Sequence, residues 1–242
     1  MNRLQAELHR LYASHALASG TVAPAADSLV DAGGCLRAAV LELAGPADWT
    51  ALSALWRGVQ ADLDLPAPAI AVTGVDGYQL WFSFAEPLPL AQASAFVEAL
   101  RRRYLADVAP QRLRLMAPQA LFMAMLPPRQ TQAGSESWSA FVAPDLAPVF
   151  AAEPWLDVPP SPEGQADLLC RLESIRPADL RAALLRLGAA ASATPITATA
   201  ATAEAAAPSL DAESFLLKVI NDESVALVLR IDAAKALLQA KK

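Results

Sequence analysis

Residues 69–84, AIAVTGVDGYQLWFSF, constrain this chain more than any other stretch. An apolar run at 69–73 meets Gly74-Val75-Asp76-Gly77, whose Asp-Gly pair is a strong short-range hairpin signal. The run 78–84 then alternates cleanly. Tyr78, Leu80, Phe82 and Phe84 face one way, and Gln79, Trp81 and Ser83 face the other.

The segments around this hairpin complete a pattern. Residues 3–18 carry Leu4, Leu8, Leu11 and Tyr12 at helical spacing, and a Gly/Ala/Pro-rich connection runs to 34. Residues 38–43 (AAVLEL) read as a buried strand that Gly45-Pro46 breaks. Asp48 is placed to cap a helix reaching about residue 63, with Leu52, Leu55, Trp56 and Val59 on one stripe. After the hairpin, Pro87 and Pro89 are expected to close the strand and lead into a helix over 90–105, and 112–116 is a further strand. The order is β-α-β-β-α-β, so the expected class is α+β with a ferredoxin-like core. That architecture hosts many functions and selects none by itself.

Beyond the core, 121–126 and 138–142 are expected strands around a polar loop at 129–137, and 143–162 is proline-rich. Residues 165–175 and 178–187 are expected helices. The expected organisation is an N-terminal helix and connection (1–34), an α+β domain (35–187), an Ala/Thr-rich flexible linker (188–208) and a C-terminal helical hairpin (209–242). Phe215, Leu216 and Val219 form one apolar stripe of that hairpin, and Val228, Ile231, Ala234 and Leu238 the other. Two helices this short should dock on the main domain or on a partner.

Composition narrows the function classes. Of 242 residues, 55% are hydrophobic and 18% charged, which supplies a core and argues against whole-chain disorder. The longest uncharged stretch, 187–203, is interrupted by Pro195 and too weakly apolar to span a membrane. The N-terminal MNRLQAELHR carries charge where a leader needs its apolar run. Cys35 and Cys170 read as reduced thiols of a cytoplasmic protein, and two His with two Cys far apart leave no basis for a zinc site. A net charge of -6 removes any global attraction to nucleic acid, so such binding needs a local basic patch. There is no P-loop, dinucleotide fingerprint, nucleophile elbow or HExxH motif, and no cofactor is implied.

The stretch VLELAGPADW…LDLPAPAIAVTGVDGYQLWFSFAEPLPLAQASAFVEAL, about residues 38–105, resembles the archaeo-eukaryotic primase superfamily, nearest to the polymerase domain of bacterial end-joining ligases. The resemblance implies a primase-polymerase palm. In that family a strand carries two carboxylates two residues apart, which share divalent metals, and a glycine hairpin ending in His meets the nucleotide phosphates. Here Leu41 and Leu43 stand at the carboxylate positions, and Glu42 is the only acid on the strand. The family's basic residues fall on Ala71 and Asp76, and its His on Gln79. Thr73, Gly74 and Gly77 keep the turn, where backbone N–H groups can approach a phosphate. The implied protein is a pseudoenzyme with no catalytic residue and no metal site.

Other residues extend the list. Arg101-Arg102-Arg103, followed by Arg112 and Arg114, is either a solvated cap favoured by the helix dipole or a phosphate-contacting patch. Trp81 between Gln79 and Ser83 is either a base-stacking surface or a residue covered by a helix. The C-terminal FLLKVINDESVALVLRIDAAKALL resembles a helical interaction element of phage-derived bacterial proteins. Three functions compete. The first is a non-catalytic primase-like protein in replication or mobile-element biology, with single-stranded nucleic acid or a replication or phage protein as partner. The second is a ferredoxin-like protein-interaction module without nucleic-acid contact. The third is a divergent nucleotidyltransferase drawing on Glu42 with Asp107 or Asp145. Candidate binding residues are Thr73, Gly74, Gly77, Gln79, Trp81, Arg101, Arg102 and Arg103.

Overall fold

The computed structural model describes residues 2–13, 29–30, 33–115, 126–131 and 136–192. The chain divides into two units, Met1–Thr194 and Pro195–Lys242, and every described residue belongs to the first. The expected strand at 121–126, apart from Leu126, lies outside the described residues, as do the linker beyond Ser192 and the hairpin at 209–242.

The described chain is mixed α+β. Its first helix, α1 (Arg3–Tyr12), starts with a capping box in which Asn2 and Gln5 exchange side-chain and backbone hydrogen bonds. There follow β1 (Cys35–Leu43), α2 (Trp49–Ala61), β2 (Ala69–Val72), β3 (Tyr78–Pro89), α3 (Leu90–Tyr104) and β4 (Leu113–Leu115). Then come β5 (Arg129–Gln130), β6 (Trp138–Val142), α4 (Pro162–Leu169) and α5 (Pro177–Ser192). Asp48 caps α2 as expected, its carboxylate accepting from the Ala51 N–H at 3.0 Å.

The six strands make one antiparallel sheet in the order β4-β1-β3-β2-β6-β5. The alternation in β3 is real, and both of its faces are buried. Tyr78, Leu80, Phe82 and Phe84 join Leu41 and Leu43 of β1 in a core closed by α2, α3 and α5. Phe96 of α3 meets the rings of Phe82 and Phe84 edge-on, at 5.5 and 6.0 Å. On the opposite face Trp81 packs with Ala38, Val40, Ala69, Ala71 and Phe141 beneath α1 and α4.

β1 starts at Cys35, three residues before the expected 38, and three further boundaries differ from the sequence reading. The third strand does not stop at Pro87. Cys35 pairs with Pro89 and Leu36 with Leu88, while Ala38 pairs with Ser83, so β3 bulges between and Pro87 owes the ladder no hydrogen bond. The Arg37 guanidinium fills that irregularity and donates to the Phe84 carbonyl at 3.0 Å. The helix expected at 165–175 begins earlier and ends earlier, because Ser161 caps it with Pro162 in the first turn. Ile175 is instead held at the sheet, bonding to Ser83 and Ala85 on either side of Phe84. Finally, α5 continues through Gly188 to Ser192, beyond the expected start of the linker.

Candidate functional site

The turn after β2 is built around one hydroxyl. Thr73 is buried, and its Oγ1 accepts from the N–H groups of Val75, Asp76 and Gly77 at 3.2, 3.1 and 3.0 Å. The fourth turn amide, Gly74 N–H, donates to the Pro154 carbonyl at 2.9 Å. All four donors that a phosphate would need are therefore engaged within the protein. The glycines follow from packing. A Cβ on Gly77 would collide with the Leu43 carbonyl oxygen, and one on Gly74, at φ +80, with Thr131 and the Ser139 amide.

The two β1 positions that align with a carboxylate pair, Leu41 and Leu43, point into the apolar core beneath α2 and α3. Glu42 takes the other face with Gln79, its register partner on β3. There the Gln79 amide donates to Glu42 at 2.8 Å and accepts from the Trp81 indole N–H at 2.9 Å. Arg114 of β4, opposite Glu42 on the other flank, donates to the second carboxylate oxygen at 3.0 Å. The result is a buried relay from Trp81 through Gln79 and Glu42 to a guanidinium at the surface. Among the described residues no three His, Cys, Asp or Glu side chains gather as a metal-holding group.

Trp81 is only 1% exposed. Tyr12 of α1 meets its ring edge-on at 5.4 Å, and Phe141 covers another edge. The base-stacking surface considered for Trp81 is thus occupied by the protein's own first helix, and burial pushes the Tyr12 phenol well above its ordinary pKa.

The arginine run is largely paired. Glu98 takes two hydrogen bonds from Arg101, at 2.8 and 2.7 Å, and a third from Arg102 at 3.2 Å. These bonds, Arg101's first, hold the Glu98 carboxyl below its usual range. Arg103 lies 3.7 Å from Asp62 and stacks over the Tyr104 ring. Of the eight residues singled out by sequence, Gln79 and Trp81 share one network and Thr73, Gly74 and Gly77 another. The three arginines belong to the end of α3 and pair with acids there and on α2's C-cap.

A feature of another kind lies beyond β6. An open groove of about 490 Å³ runs between β6, the turn of 3-10 helix Ala147–Ala151, the strip 156–160 and α4. Phe141, Leu146, Phe150, Leu156, Val158 and Leu168 line it. Sequence reading noted this segment as proline-rich and assigned no site to it. A sharper signal was available: apolar residues spaced between prolines, and no Lys or Arg anywhere from Gln130 to Cys170.

No model of a known protein family matches this chain, and no curated protein matches it at a significant level.

Proposed function

We propose that this chain is a protein-interaction module built on a ferredoxin-like palm that has given up nucleotide chemistry. The order β4-β1-β3-β2, antiparallel throughout with α2 and α3 on one face, supports the ferredoxin-like reading of residues 35–115. The resemblance of residues 38–105 to the primase superfamily then reads as descent. On this reading, the sheet face that carries the Gln79 position has been closed by α1 and α4, and the Leu41 and Leu43 positions lie on the opposite face, closed by α2, α3 and α5.

One observation carries the proposal: every N–H of the 74–77 turn is already bonded inside the protein. A triphosphate gains nothing there unless it first breaks those bonds, and Asp76 repels it. The test is a titration of a labelled single strand at low and high salt, with a primer-extension assay in Mn²⁺ and nucleotides. The expected result is neither salt-sensitive binding nor extension. Extension, or binding that a Gln79→Leu variant abolishes, sinks the proposal.

A second reading, contact with nucleic acid through phosphates alone, has one support. The Arg102 and Arg114 side chains remain 65% and 63% exposed although each touches an acid. Under that reading the single strand binds with a salt slope that falls by about one unit for each arginine replaced by Ala.

A further inference from the structure

The groove beyond β6 differs from the rest of the surface in two independent ways. Its walls expose large apolar side chains: Leu146 is 53% and Val158 65% accessible, with Val149 nearby in the chain at 72%. Apolar exposure gathered into one concave surface marks a place where something docks. The chain segment that forms it is also of one charge. Between Trp138 and Cys170 the chain carries Asp145, Glu153, Asp157, Glu163 and Asp167, and no Lys or Arg.

All but Glu153 are chain neighbours of residues that line the groove. Asp145 precedes Leu146, Asp157 stands between Leu156 and Val158, and Glu163 precedes Gly164, all of those neighbours being lining residues. Asp167 pairs with Arg3 at 2.6 Å. The other four are exposed and have no ion-pair partner among the described residues.

The groove is also preformed. Gln165 in its wall is locked to the backbone of Phe141 by two hydrogen bonds, donating at 2.9 Å and accepting at 2.8 Å. Pro159 and Pro160 stiffen the opposite wall. A binder therefore pays little to order the site.

Resting on the interaction-module reading above, we propose that this groove receives an amphipathic segment of another protein whose apolar side chains are flanked by Lys or Arg. The apolar floor supplies the contact, and the carboxylates supply orientation and faster encounter. The same carboxylates turn away nucleic acid, anionic membrane surfaces and acidic peptides.

The probe is a fluorescein-labelled synthetic amphipathic helix made only of Leu and Lys, with a Leu/Glu helix of the same length as control. Titrated with the full chain, the Leu/Lys peptide should raise anisotropy saturably and the Leu/Glu peptide should not. Leu146→Gln with Val158→Gln, two exposed positions that keep the net charge, should weaken binding about tenfold or more with an unchanged circular dichroism spectrum. Amide shifts on binding should concentrate in 141–168. Binding insensitive to the double variant, shifts centred elsewhere, or no saturable binding overturns the proposal. So does a concentration-dependent mass that the double variant abolishes, which would make a second copy the occupant. Strand binding that Gln79→Leu removes, together with peptide binding that Leu146→Gln/Val158→Gln removes, would sink the interaction-only reading while leaving the groove assignment intact.

Discussion

Gln79 and Glu42 face each other across β3 and β1, and the Gln79 amide donates to the Glu42 carboxylate at 2.8 Å. The bond places a charge inside the sheet, yet the charge is not stranded, because Arg114 reaches its other oxygen from the surface. Gln79→Leu removes the donor to Glu42 and the acceptor of the Trp81 indole together. Urea unfolding should show a loss of about 2–3 kcal/mol, the cost of leaving buried polar groups without partners. Arg114→Ala deletes a side chain that is 63% exposed and so opens the Glu42 carboxylate beneath it to water in the partner's place; it should cost about 1 kcal/mol or less. Equal losses would mean that the relay is not organised as described.

Thr73 serves as acceptor for three backbone amides. Thr73→Val keeps the shape and removes that acceptor, so a loss of about 2 kcal/mol is expected, while Thr73→Ser should stay within about 1 kcal/mol of the parent. Hydrogen exchange at Val75, Asp76 and Gly77 should accelerate in the Val variant only. Unchanged exchange there would show that the hydroxyl does not hold the turn.

Gln165 meets both polar groups of Phe141, 24 residues away. Gln165→Leu should destabilise the fold by about 2 kcal/mol in chemical unfolding, and Gln165→Asn should rescue little of it because the shorter side chain falls short. Full rescue by Asn would contradict the geometry.

The chain's three tyrosines all titrate late. Burial pushes Tyr78 up to about 12, and it raises Tyr12 and Tyr104 as well. The folded state thus prefers the neutral phenol. The associated stability is complete below the ordinary tyrosine value of about 10 and is lost as pH rises from there through the folded values. Absorbance at 295 nm should show little phenolate at pH about 10 and a rise only above it, together with loss of the near-ultraviolet circular dichroism. A third of the absorbance change appearing near pH 10 in folded protein would refute this.

Local chemistry was legible in the sequence. Asp48 announced its cap, Asp76-Gly77 its turn, and the residues 78–84 their two faces. What covers each face was not. Trp81 carries the same letters whether a base or a helix lies on it, and only the position of Tyr12 decides. The pairing of Arg101 and Arg102 with Glu98 follows helical spacing and was open to sequence reading, whereas Thr73 as a triple acceptor depends on the exact closure of a five-residue loop. The bulge that lets β3 run past Pro87 needed Arg37 from another strand, and the Gln165–Phe141 bridge joins segments with no periodicity in common.

That bridge has one more consequence. A sheet exposes unpaired amides and carbonyls along its last strand, and a second chain can extend it there. By presenting both halves of its amide to Phe141, Gln165 acts as one residue of a missing strand that has no outward side of its own. β5 pairs only Trp138 and Ser139 of β6, so at Phe141 the ladder ends at a side chain, and a passing extended peptide finds no partner at that position on which to begin pairing.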